Sequence, residues 1–157
     1  MSKTIIALDF SSADQVTEFL KQFKEPVYVK IGMELTYAEG LSIVETVKKM
    51  GHHIFLDLKL CDIPNTVKKT MAVLSSLDVD ICNLHAGGTV AMMEAALEGL
   101  TRPDGTRPLL IAVTQLTSTD EETLHGQLLI ERPMAEVVRQ YALNAKEAGL
   151  DGVVCSA

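Results

Sequence analysis

The stretch His53–Val67, HIFLDLKLCDIPNTV, holds a strand, a charged loop and a helix start. His53–Leu58 is an apolar run of strand character. Lys59–Ile63 reads as the loop that follows it. Pro64 suits the first turn of a helix, because its missing N–H needs no partner there. That helix is predicted to run to about Leu77. Together these pieces make one βα unit.

The same unit recurs on both sides. Thr4–Phe10 (TIIALDF) is predicted as strand one. Ser11–Phe23 follows, with Val16, Phe19, Leu20 and Phe23 spaced for one helix face and Ser11 or Ser12 as the N-cap. Pro26–Gly32 (PVYVKIG) is strand two, and Gly40–Met50 is a helix ended by Gly51. Downstream, Asp80–His85 is strand four and Thr89–Leu100 its helix, with a polar turn over Thr101–Pro108. Leu109–Gln115 is strand five, and Ser118–Gln127 is a short helix or loop. Glu131–Gly149 is the longest helix, and Gly152–Ser156 is strand six.

Six βα units in succession imply a parallel sheet covered by helices. The strand cores are nearly continuous in apolar residues, as in strands buried on both faces. A doubly wound open sheet and a (β/α)8 barrel both fit that description. Polar residues favour the barrel. Asp9, Lys30, Asp57, Lys59, His85 and Thr117 fall at or just after the C-terminal ends of five different strands. An open sheet gathers its site at a switch point, whereas a barrel draws it from many strands at one rim. The fold class expected is therefore α/β, a (β/α)8 TIM barrel. A full barrel needs roughly 250 residues, so this chain of 157 is expected to form one domain, a partial barrel lacking units seven and eight.

Composition excludes several functions. The net charge of −7 argues against a nucleic-acid surface, which needs clustered Lys and Arg. No apolar run approaches the ~20 residues of a membrane span, and MSKTIIALDF lacks a signal-peptide core. The three cysteines, Cys61, Cys82 and Cys155, form no CxxC pair, so no zinc site or disulfide framework is expected. The protein reads as cytoplasmic. Aromatic residues are only 4%, so the core must be aliphatic, with Met71, Met92 and Met93 as filler.

Chemistry concentrates in Asp57–Val67, DLKLCDIPNTV. On an extended strand, Asp57 and Lys59 point to one side, about 6–7 Å apart. Asp62 lies three residues further, giving an alternating Asp–Lys–Asp array. An ammonium held between carboxylates is a proton donor, unlike a Schiff-base lysine, which attacks in its uncharged form. The plainer reading is a solvated salt-bridge cluster. His52 and His53 are adjacent and face opposite ways, so neither is read as a metal ligand. His85 is assigned packing or hydrogen bonding, Gly87–Gly88 a tight turn, and Lys48–Lys49 and Lys68–Lys69 solvated faces.

DLKLCDIPNTV resembles the signature of orotidine 5′-phosphate decarboxylases, D-x-K-x-x-D-I-P-x-T-V at the end of strand three. IIALDF, VKIGMEL, NLHAGG, AVTQLTS and GLDGVVCSA resemble the family's other strand ends, in order, from about residue 4 onward. Cys61 departs from the histidine usual in bacterial members. The resemblance implies decarboxylation of orotidine 5′-monophosphate without metal or other cofactor, by a homodimer with its site at the interface. Lys59 would protonate C6 as CO2 leaves. Asp57 would sit near the substrate carboxylate and hold Lys59, and Asp62 would complete the neighbouring subunit's site. Asp9 and Lys30 would contact the ribose and the charged network. Thr66 would help hold the ribose across the interface, and Thr117 and Ser118 would contact the pyrimidine. Motifs resembling TPGIR and VVGRPI, which carry the family's phosphate site, do not occur here, so weak or no activity is expected of the 157-residue chain alone. Two alternatives remain: a magnesium-dependent sugar-phosphate decarboxylase or aldolase of the same superfamily, and a non-catalytic barrel that only dimerises.

Overall fold

Among the described residues, six parallel strands lie side by side in chain order, β1-β2-β3-β4-β5-β6. They are β1 (Ile5–Ala7), β2 (Tyr28–Gly32), β3 (His53–Leu60), β4 (Ile81–His85), β5 (Leu109–Val113) and β6 (Gly152–Val154). The computed structural model describes residues 4–155. Ser156, expected at the end of strand six, lies outside the described residues. An unbroken strand order settles the architecture. A doubly wound sheet reverses direction at its switch point, and this one never does, so the six units build the wall of a TIM-type barrel.

The helices are α1 (Ala13–Leu20), α2 (Met33–Glu39), α3 (Ser42–Lys49), α4 (Pro64–Ser75), α5 (Thr89–Leu100), α6 (Glu121–Gly126) and α7 (Met134–Glu147). Their starts follow local chemistry. The Ser12 side chain caps α1 by accepting from the Gln15 amide, and Asp120 caps α6 from Thr123. Pro64 opens α4 as expected. The last long helix starts at Met134 rather than Glu131, because Arg132 precedes a proline and is pushed out of helical geometry. The sequence pattern does not announce α2. Its seven residues are too short to display a helical period, and its Thr36 hydroxyl bonds back to the Gly32 carbonyl.

Leu8, just past β1, and Val29, Ile31, Ile54, Leu56, Leu84 and Leu110 from the strands are buried against Val16, Leu20, Val47, Met71, Met92, Met93 and Leu100 from the helices. The methionines are core filler, as expected. Below the sheet, at the N-terminal ends of the strands, charges are matched rather than displayed. Asp80 accepts from the Ile54 amide (2.8 Å) and pairs with Lys48 and His53. His53 in turn stacks on Tyr28 with ring centroids 4.4 Å apart. Lys48 is therefore a partly buried bridge to Asp78 and Asp80, not a solvated face, while Lys49 is exposed as expected.

Helices α4 and α5 pack backbone to backbone at Gly99. A Cβ built there would sit 2.0 Å from the Lys68 carbonyl oxygen, a backbone atom that cannot swing away. Alanine is the better helix former, yet Gly99→Ala is expected to destabilise the protein by about 1–3 kcal/mol through overpacking. A lowered urea midpoint with an unchanged m-value is the expected reading.

Candidate active site

Strand β3 does not stay regular. Leu56 pairs with Cys82, and the next pairing is Leu60 with Leu84. Four residue steps on β3 thus span two on β4, which is a bulge. Lys59 sits inside it with φ of 52°, in the left-handed region. For a non-glycine residue that conformation costs roughly 1–2 kcal/mol. The Lys59 amide cannot reach the backbone of β4, so it donates to the Asn83 side-chain oxygen at 2.8 Å. Pairing resumes at Leu60, opposite Leu84, so the strand runs through Lys59 to Leu60 instead of ending at Leu58 as the sequence suggested.

A ladder of alternating charge crosses the C-terminal ends of three strands. Asp9, just past β1, lies 3.6 Å from the Lys30 ammonium on β2. Lys30 Nζ lies 3.4 Å from Asp57 Oδ2. Asp57 Oδ1 accepts from Lys59 Nζ at 2.7 Å and from Asn83 Nδ2 at 2.6 Å. Gly32 stands opposite Asp57 in the sheet register. A Cβ at Gly32 would lie 3.5 Å from Lys30 Nζ, so the lysine stem reaches along the strand over that glycine toward Asp57.

Asp57 is only 7% exposed, whereas Asp9 is exposed. Burial is the largest influence on the Asp57 carboxyl and opposes its ionisation. Hydrogen bonds from Lys59 and Asn83, with the charges of Lys59 and Lys30, outweigh it and hold the group below the usual carboxylate range. His85, at the end of β4, is pushed down by burial and by the Lys59 charge, which favours neutral imidazole.

A cavity of about 290 Å³ opens beside the ladder. Lys30, Asp57, Lys59, Asn83, Gln115 and Thr117 line it together with Phe55, Val113, Leu116 and Val154. The arrangement can stabilise negative charge at a cationic amine within partly apolar walls, and can deliver a proton from it. Among the described residues, no three His, Cys, Asp or Glu side chains cluster closely enough to hold a metal ion.

The expected residues divide into two groups. Asp9, Lys30, Asp57 and Lys59 come together, and Thr117 lines the same cavity. Asp62 does not bracket Lys59 as the sequence array suggested. It is exposed, and its carboxylate accepts from the adjacent Ile63 amide at 2.7 Å. Thr66 is exposed in the first turn of α4, and Ser118 is exposed in the loop after β5. Asn83 was missed. An asparagine at an interior position of an apolar strand was the available signal, since such a side chain must find partners.

Parallel strands wound in chain order, with charged groups gathered at their C-terminal ends, define a TIM-type barrel with its site where that fold keeps its active centres. Comparison with known proteins gives the family. The chain belongs to the Orotidine 5'-phosphate decarboxylase / HUMPS family, whose model matches residues 2–157. It is 58% identical over 157 residues to an orotidine 5′-phosphate decarboxylase of a Geobacillus species, covering 98% of this chain and 66% of that protein. It is 60% identical to the one from Streptococcus mutans, covering 99% of this chain and 66% of that protein. The chain thus spans just under two thirds of the length of these curated relatives. A crystal structure of the orotidine 5′-phosphate decarboxylase from Lactobacillus acidophilus superposes with a TM-score of 0.93 at 38% identity, over 99% of this chain and 72% of that one.

Because the Asp57 carboxyl lies below its ordinary value of 3.8 in the folded protein, its ionisation stabilises the fold above that value. The contribution is lost as pH falls through the lower, folded-state midpoint. Asp57→Asn should therefore flatten the stability–pH curve on the acid side of pH 4 or so. Urea midpoints measured down the acid range would check this, with a wild-type slope retained in the variant as the contrary outcome.

Proposed function

We propose that this chain belongs to an enzyme that decarboxylates orotidine 5′-monophosphate to uridine 5′-monophosphate in pyrimidine synthesis, with Lys59 as proton donor. The observation that carries the reading is the Lys59 ammonium, held 2.7 Å from a buried carboxylate and lining a partly apolar cavity. As the C6–carboxylate bond breaks, its electron pair stays on C6, where no neighbouring π-system spreads it. A fixed ammonium stabilises that charge without reorganising and then transfers a proton to C6. The neutral amine left behind is reprotonated from solvent. Asp57 holds the amine and faces the substrate carboxylate. At ~4 Å and an effective dielectric of 20 the two would repel by ~4 kcal/mol, relieved as CO2 departs. Asp9 and Lys30 serve the ribose and the ladder, and Thr117 and Ser118 the pyrimidine.

We further propose a homodimer. Asp62 and Thr66 are exposed, and among the described residues the Lys59 ammonium pairs with Asp57 rather than Asp62, which fits a role of Asp62 and Thr66 in the partner's site. No helix among the described residues is long and apolar enough to cross a membrane. A cytoplasmic location fits a phosphorylated metabolite and the free thiols of Cys61 and Cys155.

Lys59→Ala, in the protein at full family length, is expected to lower turnover by about 10³-fold or more while an uncharged-ring nucleotide analogue still binds. Loss of orotidylate absorbance measures the first and calorimetry the second. Near-wild-type turnover would refute the role. Wild-type turnover that a chelator abolishes would favour the magnesium-dependent sugar-phosphate branch. Dimerisation without any turnover would favour a purely interacting module.

A further inference from the structure

The two hydrogen bonds of Asn83 reach two different residues of the reacting pair. Its amide nitrogen donates to Asp57 Oδ1 at 2.6 Å, the same oxygen that accepts from the Lys59 ammonium. Its amide oxygen accepts from the Lys59 backbone at 2.8 Å, inside the bulge where β3 and β4 lose register. Asn83 is 1% exposed, so neither bond competes with bulk water. The side chain also lines the cavity with Lys59 and Asp57.

We propose that Asn83 is a positioning residue. It locks Lys59 into its left-handed backbone conformation and turns the Asp57 carboxylate toward the Lys59 ammonium. One planar amide does both, so the carboxylate and the lysine backbone cannot move independently. A regular strand would place Asp57 and Lys59 side chains about 6–7 Å apart, too far for the 2.7 Å contact without convergence of the two side chains. The bulge and its side-chain bridge supply the local geometry for that approach. This rests on reading Lys59 and Asp57 as the reacting pair.

A residue that merely fills the bulge would affect stability alone. A positioning residue also alters turnover and the titration of Asp57. The charged groups facing Asp57 are Lys59 on its own strand and Lys30 on β2, with Asp9 behind Lys30; His85 ends β4. None of these is changed by substituting Asn83. Asn83→Ala, confirmed as folded by circular dichroism, is expected to lower kcat about 10–100-fold with KM changed less than about threefold. The Asp57 midpoint, followed by carbon-detected NMR of its carboxyl in the free protein, should rise by roughly one pH unit as a donor is lost. If Asn83→Ala does not fold, both measurements are made on Asn83→Asp. That variant keeps the size and the acceptor for the Lys59 amide, but sets a carboxylate rather than a donor against Asp57. It too should lose turnover and raise the midpoint. A folded variant with the wild-type Asp57 titration, or with kcat within about twofold of wild type, overturns the proposal. The turnover measurements use the protein at full family length; if its wild-type form does not turn over orotidylate, the functional reading fails by itself. The titration then still decides whether Asn83 governs the pair.

Discussion

An ionised carboxylate with almost no access to water is the constraint around which the rim is built. Burying a charge costs several kcal/mol unless it is paired and hydrogen-bonded. Asp57 meets that requirement with Lys59, Lys30 and Asn83, drawn from strands β2, β3 and β4. Losing Lys59 or Asn83 would leave a lone pair of Asp57 without a donor in a place water scarcely reaches, and losing Lys30 would remove a neighbouring positive charge. The strand order follows from the same need. Only when β2, β3 and β4 are immediate neighbours can these groups converge on one carboxylate, and a sheet wound in chain order makes them so.

Each level of structure sets up the next. Apolar strand cores bring the backbones together, and the register places Gly32 opposite Asp57, leaving room for the Lys30 side chain. The bulge after Leu56 then brings Lys59 into contact with its own neighbour two residues back. Backbone strain at Lys59 persists because the surrounding sheet and the Asn83 amide over-determine it. Strain at a residue that lines a cavity and carries a charge is a more informative coincidence than either feature alone.

Much of this could be read from residue types and spacing. Apolar runs located all six strands, and polar residues at five strand ends pointed to a barrel before any contact was known. Asp9, Lys30, Asp57 and Lys59 were legible because they sit where parallel strands end. The bulge was not, since it goes with a bond from the Lys59 backbone amide to the Asn83 side chain on the next strand, which no local pattern encodes. Asp62 was misplaced for a related reason. Linear spacing suggested a flanking carboxylate, but the chain leaves the strand after Leu60 and turns Asp62 outward. The short helix Met33–Glu39 escaped because two turns carry too little periodicity to distinguish from a loop.

The two ends of the sheet use charge pairs to different effect. At the N-terminal end, Asp151 takes both the Arg107 guanidinium and the Leu110 amide, and Asp80 is taken up by an amide, an ammonium and an imidazole. These are closed networks, suited to stability. At the C-terminal rim the ladder is open. The Lys59 ammonium carries three donors, and among the described residues only Asp57 accepts from it. Lys30 is bracketed by two carboxylates, one of them exposed. A network built only to hold the fold would have no use for spare donor capacity beside an apolar-walled cavity. Spare donors on an amine whose position is already fixed suit a site that receives negative charge, as the proposed reaction requires.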